Sequence, residues 1–184
     1  MSALRIEGYV IVSADGMLAN AKNAMPDELK FEGDKAFFTA ALDRADLILH
    51  GRNSYEDQPN SPRRKRLILT RKIAATAPDP ANPNAMLWNP AGCSFEIACT
   101  DAGVSAGTVA IIGGPAVFGM FMDRYDVFWL SLAPHVQLPD GEPCFPGVPA
   151  QSPQQVLASH GLRAGPSQML DPAADVTVTP WRRD

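Results

Sequence analysis

The chain has 184 residues and 46% of them are hydrophobic, which is enough apolar material for one compact domain covering residues 1–184. Its formal net charge of -4 lacks the basic excess of nucleic-acid-binding proteins, so we expect no nucleic-acid partner. The three cysteines show no CxxC spacing and the three histidines are scattered, which favours neither a disulfide framework nor a metal site.

The N-terminal segment predicts no targeting signal. MSALRIEGYVIVS leads into a strand-like pattern without the basic segment, apolar core and cleavage site of a secretory signal. No uninterrupted apolar stretch approaches the ~18 residues that a membrane-spanning helix needs. We therefore expect a cytoplasmic protein with no membrane contact.

The first third of the chain alternates strand and helix patterns. Residues 4–13 are rich in β-branched and aromatic residues and predict a strand that ends at the turn SADG. From Asp34 the segment DKAFFTAALDRA has the apolar spacing of an amphipathic helix. Short apolar runs predict strands at 46–50 and 66–70, and GRNSYE (51–56) predicts the start of a second helix.

The rest of the chain continues the alternation. The predicted elements are a strand at 85–89, a helix at 94–103, a strand at 108–112, a helix from Pro115, a strand at 126–134, a helix at 153–161 and an edge strand at 176–181. This order favours an α/β fold with a mixed, mostly parallel central sheet flanked by helices, its C-terminal strands antiparallel. Six prolines between 134 and 153 predict a long ordered loop or flap.

Unusual residues follow three of the predicted strands. These segments are Gly51–Ser54, Thr70–Lys72 and Gly113–Pro115. Carboxyl ends of parallel strands meet at one sheet edge, where α/β folds bind ligands, and helix starts favour anions. Each segment alone has a simpler interpretation, as a structural turn, a helix cap or exposed charge. Together they predict a phosphate-rich ligand, although GxGxxG and GxxxxGK[ST] are both absent.

Two further features have alternative interpretations. Asp34 is either a helix cap after Gly33 or a carboxylate on the floor of an apolar cleft, where burial would raise its pKa. The run RRKR at 63–66 predicts a loop that is solvated or faces a ligand.

An ordered series of motifs resembles the dihydrofolate reductase superfamily, which includes the reductase domain of riboflavin biosynthesis. The motifs, within residues 5–147, are SADGMLA, NAMP, DKAFF, GRNSYE, RLILTR, IIGGPAVF, WLSLA and CFP. The resemblance implies a three-layer fold with NADPH as cofactor. It also implies hydride transfer to an unsaturated bond of a heterocycle or its sugar adduct.

The same resemblance implies where the cofactor would bind. The paired glycines, commonly joined by a cis peptide in the family, would lie against the dinucleotide, with one loop at its phosphates and a second turn near the 2′-phosphate. The matching residues are Gly51, Arg52, Asn53 and Ser54 in the phosphate loop, Thr70, Arg71 and Lys72 in the second turn, and Ile112, Gly113, Gly114, Pro115, Ala116, Val117 and Phe118 around the glycines.

On the substrate side the resemblance implies five residues. Asp34 matches the pterin-binding carboxylate, and Phe38 matches the aromatic ring over the substrate. Ser131 matches the hydroxyl that supports the carboxylate. Arg64 falls where folate-specific members bind the glutamate tail, and Met25 lies in the mobile loop that closes over the nicotinamide.

Three functions are compatible with these residues. The first is an NADPH-dependent reductase acting on a pterin such as dihydrofolate, either as a monomer or as a homodimer. The second is a stand-alone riboflavin-pathway reductase of a ribosylamino-pyrimidine, favoured by GGP and by two departures from the folate pattern, Asp27 after NAMP and His50. The third is a nucleotide-binding protein without turnover.

Overall fold

The computed structural model describes residues 3–184 and shows a sheet with helices on both faces. In chain order the elements are β1 (Leu4–Ser13), β2 (Met17–Ala19), α1 (Glu32–Arg44), β3 (Leu47–Gly51), β4 (Arg66–Leu69), β5 (Thr76–Pro78), β6 (Ala85–Trp88), α2 (Phe95–Asp101), β7 (Gly107–Ile111), α3 (Pro115–Met120), β8 (Val127–Ala133), β9 (Glu142–Pro143), α4 (Pro153–Ser159), β10 (Leu162–Ala164), β11 (Gln168–Asp171) and β12 (Val176–Arg183). The predicted three-layer α/β fold is confirmed.

Ten strands form one mixed sheet in the order β10, β12, β8, β1, β7, β3, β4, β6 and β5, with β11 also paired to β12. The six central strands, from β8 to β6, run parallel to one another. The edge strand β5 is antiparallel to β6, and β12 is antiparallel to β8, as predicted for the C-terminal strands. The carboxyl ends of β1, β3, β4 and β7 therefore meet at one edge.

Helix α1 covers one face of the sheet. Its residues Ala41 and Leu42 are buried against Tyr9, Ile48 and Ala110 of the strands below. The helix begins at Glu32 with Phe31 as its N-cap, so Asp34 is the third helical residue rather than a cap. The capping interpretation of Asp34 is therefore wrong.

The other three helices cover the opposite face, where the larger core lies. Phe95 of α2, Phe118 of α3 and Leu157 of α4 are buried there with strand residues such as Val109 and Phe128. Edge-to-face aromatic pairs fill this layer, among them Phe118 with Phe128 at a centroid distance of 5.5 Å.

The predicted edge position of the last strand is wrong. β12 lies inside the sheet, with β8 on one side and β10 and β11 on the other. The Pro180 carbonyl accepts from the Gly165 N–H, so the side of Pro180 that lacks an N–H faces the interruption between β10 and β11 and not β8. Proline is tolerated at such a position. No ladder hydrogen bond is lost there.

The predicted helix at GRNSYE is also wrong. Residues 52–60 form an irregular loop instead, because Glu56 turns its carboxylate inward to buried arginines. The segment has no apolar stripe that a helix could bury. The short strands β2, β5, β9, β10 and β11 were not predicted, and β2 lies where a loop was expected. Within residues 3–184 no helix is long and apolar enough to cross a bilayer.

Candidate cofactor and substrate site

The fold brings the three segments after β3, β4 and β7 to one edge of the sheet. The Gly51 N–H donates to the Gly113 carbonyl at 2.7 Å, which joins two of these segments directly. The Gly51 carbonyl accepts from the Ser54 N–H at 3.2 Å. In the third segment, buried Thr70 accepts from the Lys72 N–H through its hydroxyl at 3.2 Å. The predicted common edge is therefore present.

The paired glycines have different backbone requirements. The peptide bond between Gly113 and Gly114 is cis, and Gly113 has a φ of 122°, where a side chain would be strained. Gly114 has an ordinary φ of -83°. A Cβ added to Gly114 would have only the Ser54 hydroxyl within 4 Å, at 3.5 Å. Nothing in the described chain demands glycine at 114, so the space before it is open to a ligand.

Three cations lie in the segments that follow β3 and β4 at this edge. Arg52, Arg71 and Lys72 are exposed. Helix α3 begins at Pro115, and its N-cap residue, Gly114, has no side chain that could accept from the first helical N–H groups. Cations and the start of a helix suit phosphate oxygens, so these residues fit a dinucleotide.

The remaining predicted cofactor residues occupy three environments. Asn53 and Ala116 are exposed at the edge, whereas Ile112 and Pro115 are half-buried. Val117 and Phe118 are the buried residues of α3 and anchor that helix in the core.

Asp34 lies partly buried beside β8. Burial raises the pKa of its carboxyl from 3.8 to about 6, and the neighbouring Ser131 hydroxyl opposes that rise. Ser131 is itself buried. Phe38 lies one turn further along α1 on the same side, its ring centroid 6.3 Å from that of Tyr9. The structure thus brings together Asp34, Ser131 and Phe38.

The strand register places Asp34, Ser131 and Phe38 beside the glycine turn. Gly8 of β1 pairs with Ile111 of β7 and with Phe128 of β8, so these three residues form one row across the sheet. Gly114 and Ser131 each lie three residues beyond that row. Only β1 separates β7 from β8, a span of about 10 Å. Such a span suits a cofactor ring and a small substrate lying side by side.

Met25 belongs to a surface loop and is 42% exposed. The loop is closed by the Asn20 side chain, which accepts from the Lys22 and Ala24 N–H groups at 2.9 and 3.1 Å. Buried Leu29 ties its far end to the core.

Arg64 lies away from this edge, before the amino end of β4. Its guanidinium donates to Asp43 at 2.6 Å, Gln58 at 2.7 Å and Glu56 at 3.1 Å. The side chain is buried, as is that of Arg66, so the expected solvated or ligand-facing RRKR loop is wrong for these two residues. Paired carboxylates hold them inside the protein.

Sequence reasoning missed a buried polar group behind the glycine turn. It consists of His50, Glu56 and Arg66, joined by hydrogen bonds. The only signal was a histidine and an arginine within apolar strands, and no spacing in the sequence pairs them with Glu56. Within residues 3–184 no cluster of three potential metal ligands is present.

The architecture is that of the dihydrofolate reductase-like fold. A protein assigned to riboflavin biosynthesis from Shewanella sp. PV-4 aligns over 100% of this chain and 99% of its own, with 18% identity and a TM-score of 0.66. Dihydrofolate reductase from Enterococcus faecalis, complexed with NADP(H) and RAB-propyl, aligns over 98% and 96%, with 16% identity and a TM-score of 0.65.

A third structure is the diaminohydroxyphosphoribosylaminopyrimidine deaminase/5-amino-6-(5-phosphoribosylamino)uracil reductase of Thermotoga maritima. It aligns over 100% of this chain and 57% of its own length, with 15% identity and a TM-score of 0.65. No family model and no curated protein matches the chain. The resemblance to the dihydrofolate reductase superfamily is thus confirmed in the fold.

Proposed function

We propose that the protein is an NADPH-dependent reductase that transfers hydride to a small nitrogen heterocycle, a pterin such as dihydrofolate. One observation carries this proposal: the partly buried Asp34 carboxyl, supported by Ser131, lies level with the open glycine turn. A binding protein for the nucleotide alone would have no use for a destabilised carboxylate beside that turn.

The cofactor would lie along the edge formed by Gly51–Ser54, Thr70–Lys72 and Gly113–Ala116. Arg52 and the backbone around Ser54 would bind the pyrophosphate, while Arg71 and Lys72 would bind the 2′-phosphate. When bound, NADPH supplies the hydride. The open space before Gly114 admits the dinucleotide close to the backbone.

The substrate would lie between α1 and the edge. Ionised Asp34 would accept hydrogen bonds from ring and amino N–H groups, which fixes the heterocycle in one orientation. The Ser131 hydroxyl would hold the carboxylate in place, and Phe38 would cover the ring. The loop containing Met25 would exclude water on closing.

A ribosylamino-pyrimidine of riboflavin biosynthesis is a second candidate substrate. The observation that favours it is the state of Arg64, whose guanidinium already bonds to three side chains of the protein. That arginine is not free to bind the glutamate tail of a folate. A substrate without such a tail needs no arginine to bind it.

The decisive experiment follows NADPH oxidation by its near-ultraviolet absorbance with purified protein. The substrates are dihydrofolate, a tail-free dihydropterin, a phosphoribosylamino-pyrimidine and a flavin. Turnover of either pterin supports the first proposal, and turnover of the pyrimidine alone supports the second. NADPH binding without turnover of any of them would contradict both and indicate a non-catalytic nucleotide-binding protein.

A further inference from the structure

His50 is a buried histidine whose two ring nitrogens have different partners. Nδ1 lies 2.6 Å from the Gly51 carbonyl and Nε2 lies 3.3 Å from Nη1 of Arg66. Arginine can only donate, so Nε2 accepts and the ring proton is on Nδ1. His50 therefore donates to the Gly51 carbonyl as a neutral ring.

Arg66 is held in position from the other side. It is fully buried and bonds to both carboxylate oxygens of Glu56. The Ser61 hydroxyl and Arg64 donate to the same carboxylate, each at 3.1 Å. The Tyr55 ring covers the guanidinium at 4.2 Å. Since every member has several partners, the position of the His50 ring is fixed.

The Gly51 backbone connects the His50 ring to the glycine turn. Its carbonyl accepts from His50 and from the Ser54 N–H, while its N–H donates to the Gly113 carbonyl at 2.7 Å. The Ser54 hydroxyl in turn lies next to the open space before Gly114. A line of hydrogen bonds thus runs from Glu56 to the proposed cofactor edge.

We infer that His50 is a positioning residue for the cofactor: its Nδ1–H fixes the Gly51 carbonyl, and through it the backbone of Gly51–Ser54 and Gly113 that receives the dinucleotide. This inference rests on the proposed NADPH site. The competing explanation is that the buried group of His50, Arg66 and Glu56 only stabilises the fold.

Two substitutions separate the two nitrogens. The amide nitrogen of His50→Asn can replace Nδ1–H and keep the bond to Gly51, but Arg66 loses one of its acceptors, the Nε2 atom of residue 50. The amide oxygen of His50→Gln can replace Nε2 and keep the bond to Arg66, but the Gly51 carbonyl loses its donor. His50→Leu removes both bonds.

The experiment measures the dissociation constant of NADPH by calorimetry and, without cofactor, the midpoint of urea unfolding for each variant. We expect His50→Asn to bind NADPH within about twofold of wild type, and His50→Gln and His50→Leu to bind about fivefold to tenfold more weakly. The midpoint of urea unfolding should instead be lower for His50→Asn than for His50→Gln, because His50→Asn leaves the buried Arg66 less well paired.

The outcomes are distinguishable. Affinities that follow the order of stability, or that do not change, would overturn the inference and leave the group a purely structural one. If wild type itself does not bind NADPH, the proposed function fails first and the inference falls with it. Should His50→Leu not fold, the comparison of Asn with Gln still decides.

Discussion

Asp34 combines a stability cost with its proposed role. Its carboxyl has an ordinary pKa of 3.8 in the unfolded chain and about 6 in the folded protein. Because the folded state binds the proton more tightly, the cost of ionising Asp34 is absent well below pH 4 and complete above pH 6. That cost is at most about 3 kcal/mol, since part of the side chain reaches solvent.

Replacing Asp34 with asparagine should therefore stabilise the protein at neutral pH. Relative to wild type, we expect the free energy of unfolding of Asp34→Asn to increase by about 2 kcal/mol between pH 4 and pH 7. Urea titrations at several pH values measure it. Asp27→Asn is the control, because the Asp27 side chain is 96% exposed and should show little change. A difference for Asp34→Asn that stays flat with pH would contradict the raised pKa.

The same variant should lose turnover while keeping the cofactor. Asparagine preserves size, but it lacks the charge that would orient a protonatable ring. We expect kcat/KM to fall by at least about a hundredfold, with an unchanged dissociation constant for NADPH. Steady-state kinetics and calorimetry measure the two quantities. Undiminished turnover would remove Asp34 from the substrate site.

Among the elements, we expect the turn after β4 to determine the preference for NADPH over NADH. Arg71 is exposed there, so a charge-assisted bond to the 2′-phosphate should contribute about 1.5 to 3 kcal/mol. Arg71→Ala should lower the preference for NADPH over NADH by roughly tenfold or more. Competition binding with both nucleotides measures the ratio, and Arg163→Ala, an exposed arginine on β10, is the control. If the ratio is unchanged, another residue binds the phosphate.

The loop before β4 should behave as a structural element. Arg64 joins Asp43 at the end of α1 to Glu56, so Arg64→Ala should reduce the free energy of unfolding by about 1 to 3 kcal/mol. Its exposed neighbour is the matched control, because Arg63→Ala removes the same charge and should change stability by about 0.5 kcal/mol or less. Denaturant titration compares them. A raised KM for dihydrofolate with unchanged stability would instead restore Arg64 to the substrate site.

The elements that could be predicted were those with local signals. The pattern of α1, the apolar runs of β3, β4 and β7, and Pro115 after the glycines each depend on neighbouring residues alone. The inner position of β12 and the burial of Arg66 depend on partners distant in the chain, Leu130 of β8 and Glu56 among them. In the candidate site, Asp34 and Ser131 were predicted from the family resemblance. The buried group of His50, Glu56 and Arg66 had no signal in the local sequence.

For the whole molecule, cofactor binding should appear as thermal stabilisation. A ligand at one hundred times its dissociation constant adds about 2.7 kcal/mol, or roughly 5 to 10 °C for a chain of this size. Gly114→Ala and then Gly114→Val should progressively abolish the shift, because their side chains enter the open space before the turn. Differential scanning fluorimetry with and without NADPH measures it. A full shift in folded Gly114→Val would contradict the close approach.

The inner position of β12 has a consequence for synthesis in the cell. The strand that carries Ser131 has β12 as its outer neighbour, with Val178 opposite Ser131 in the register. While the ribosome is still making residues 176–183, β8 exposes an unpaired edge of apolar residues that other chains can join. The nascent protein can therefore complete its sheet only after those residues emerge. Until then the edge of β8 stays open to pairing with another strand.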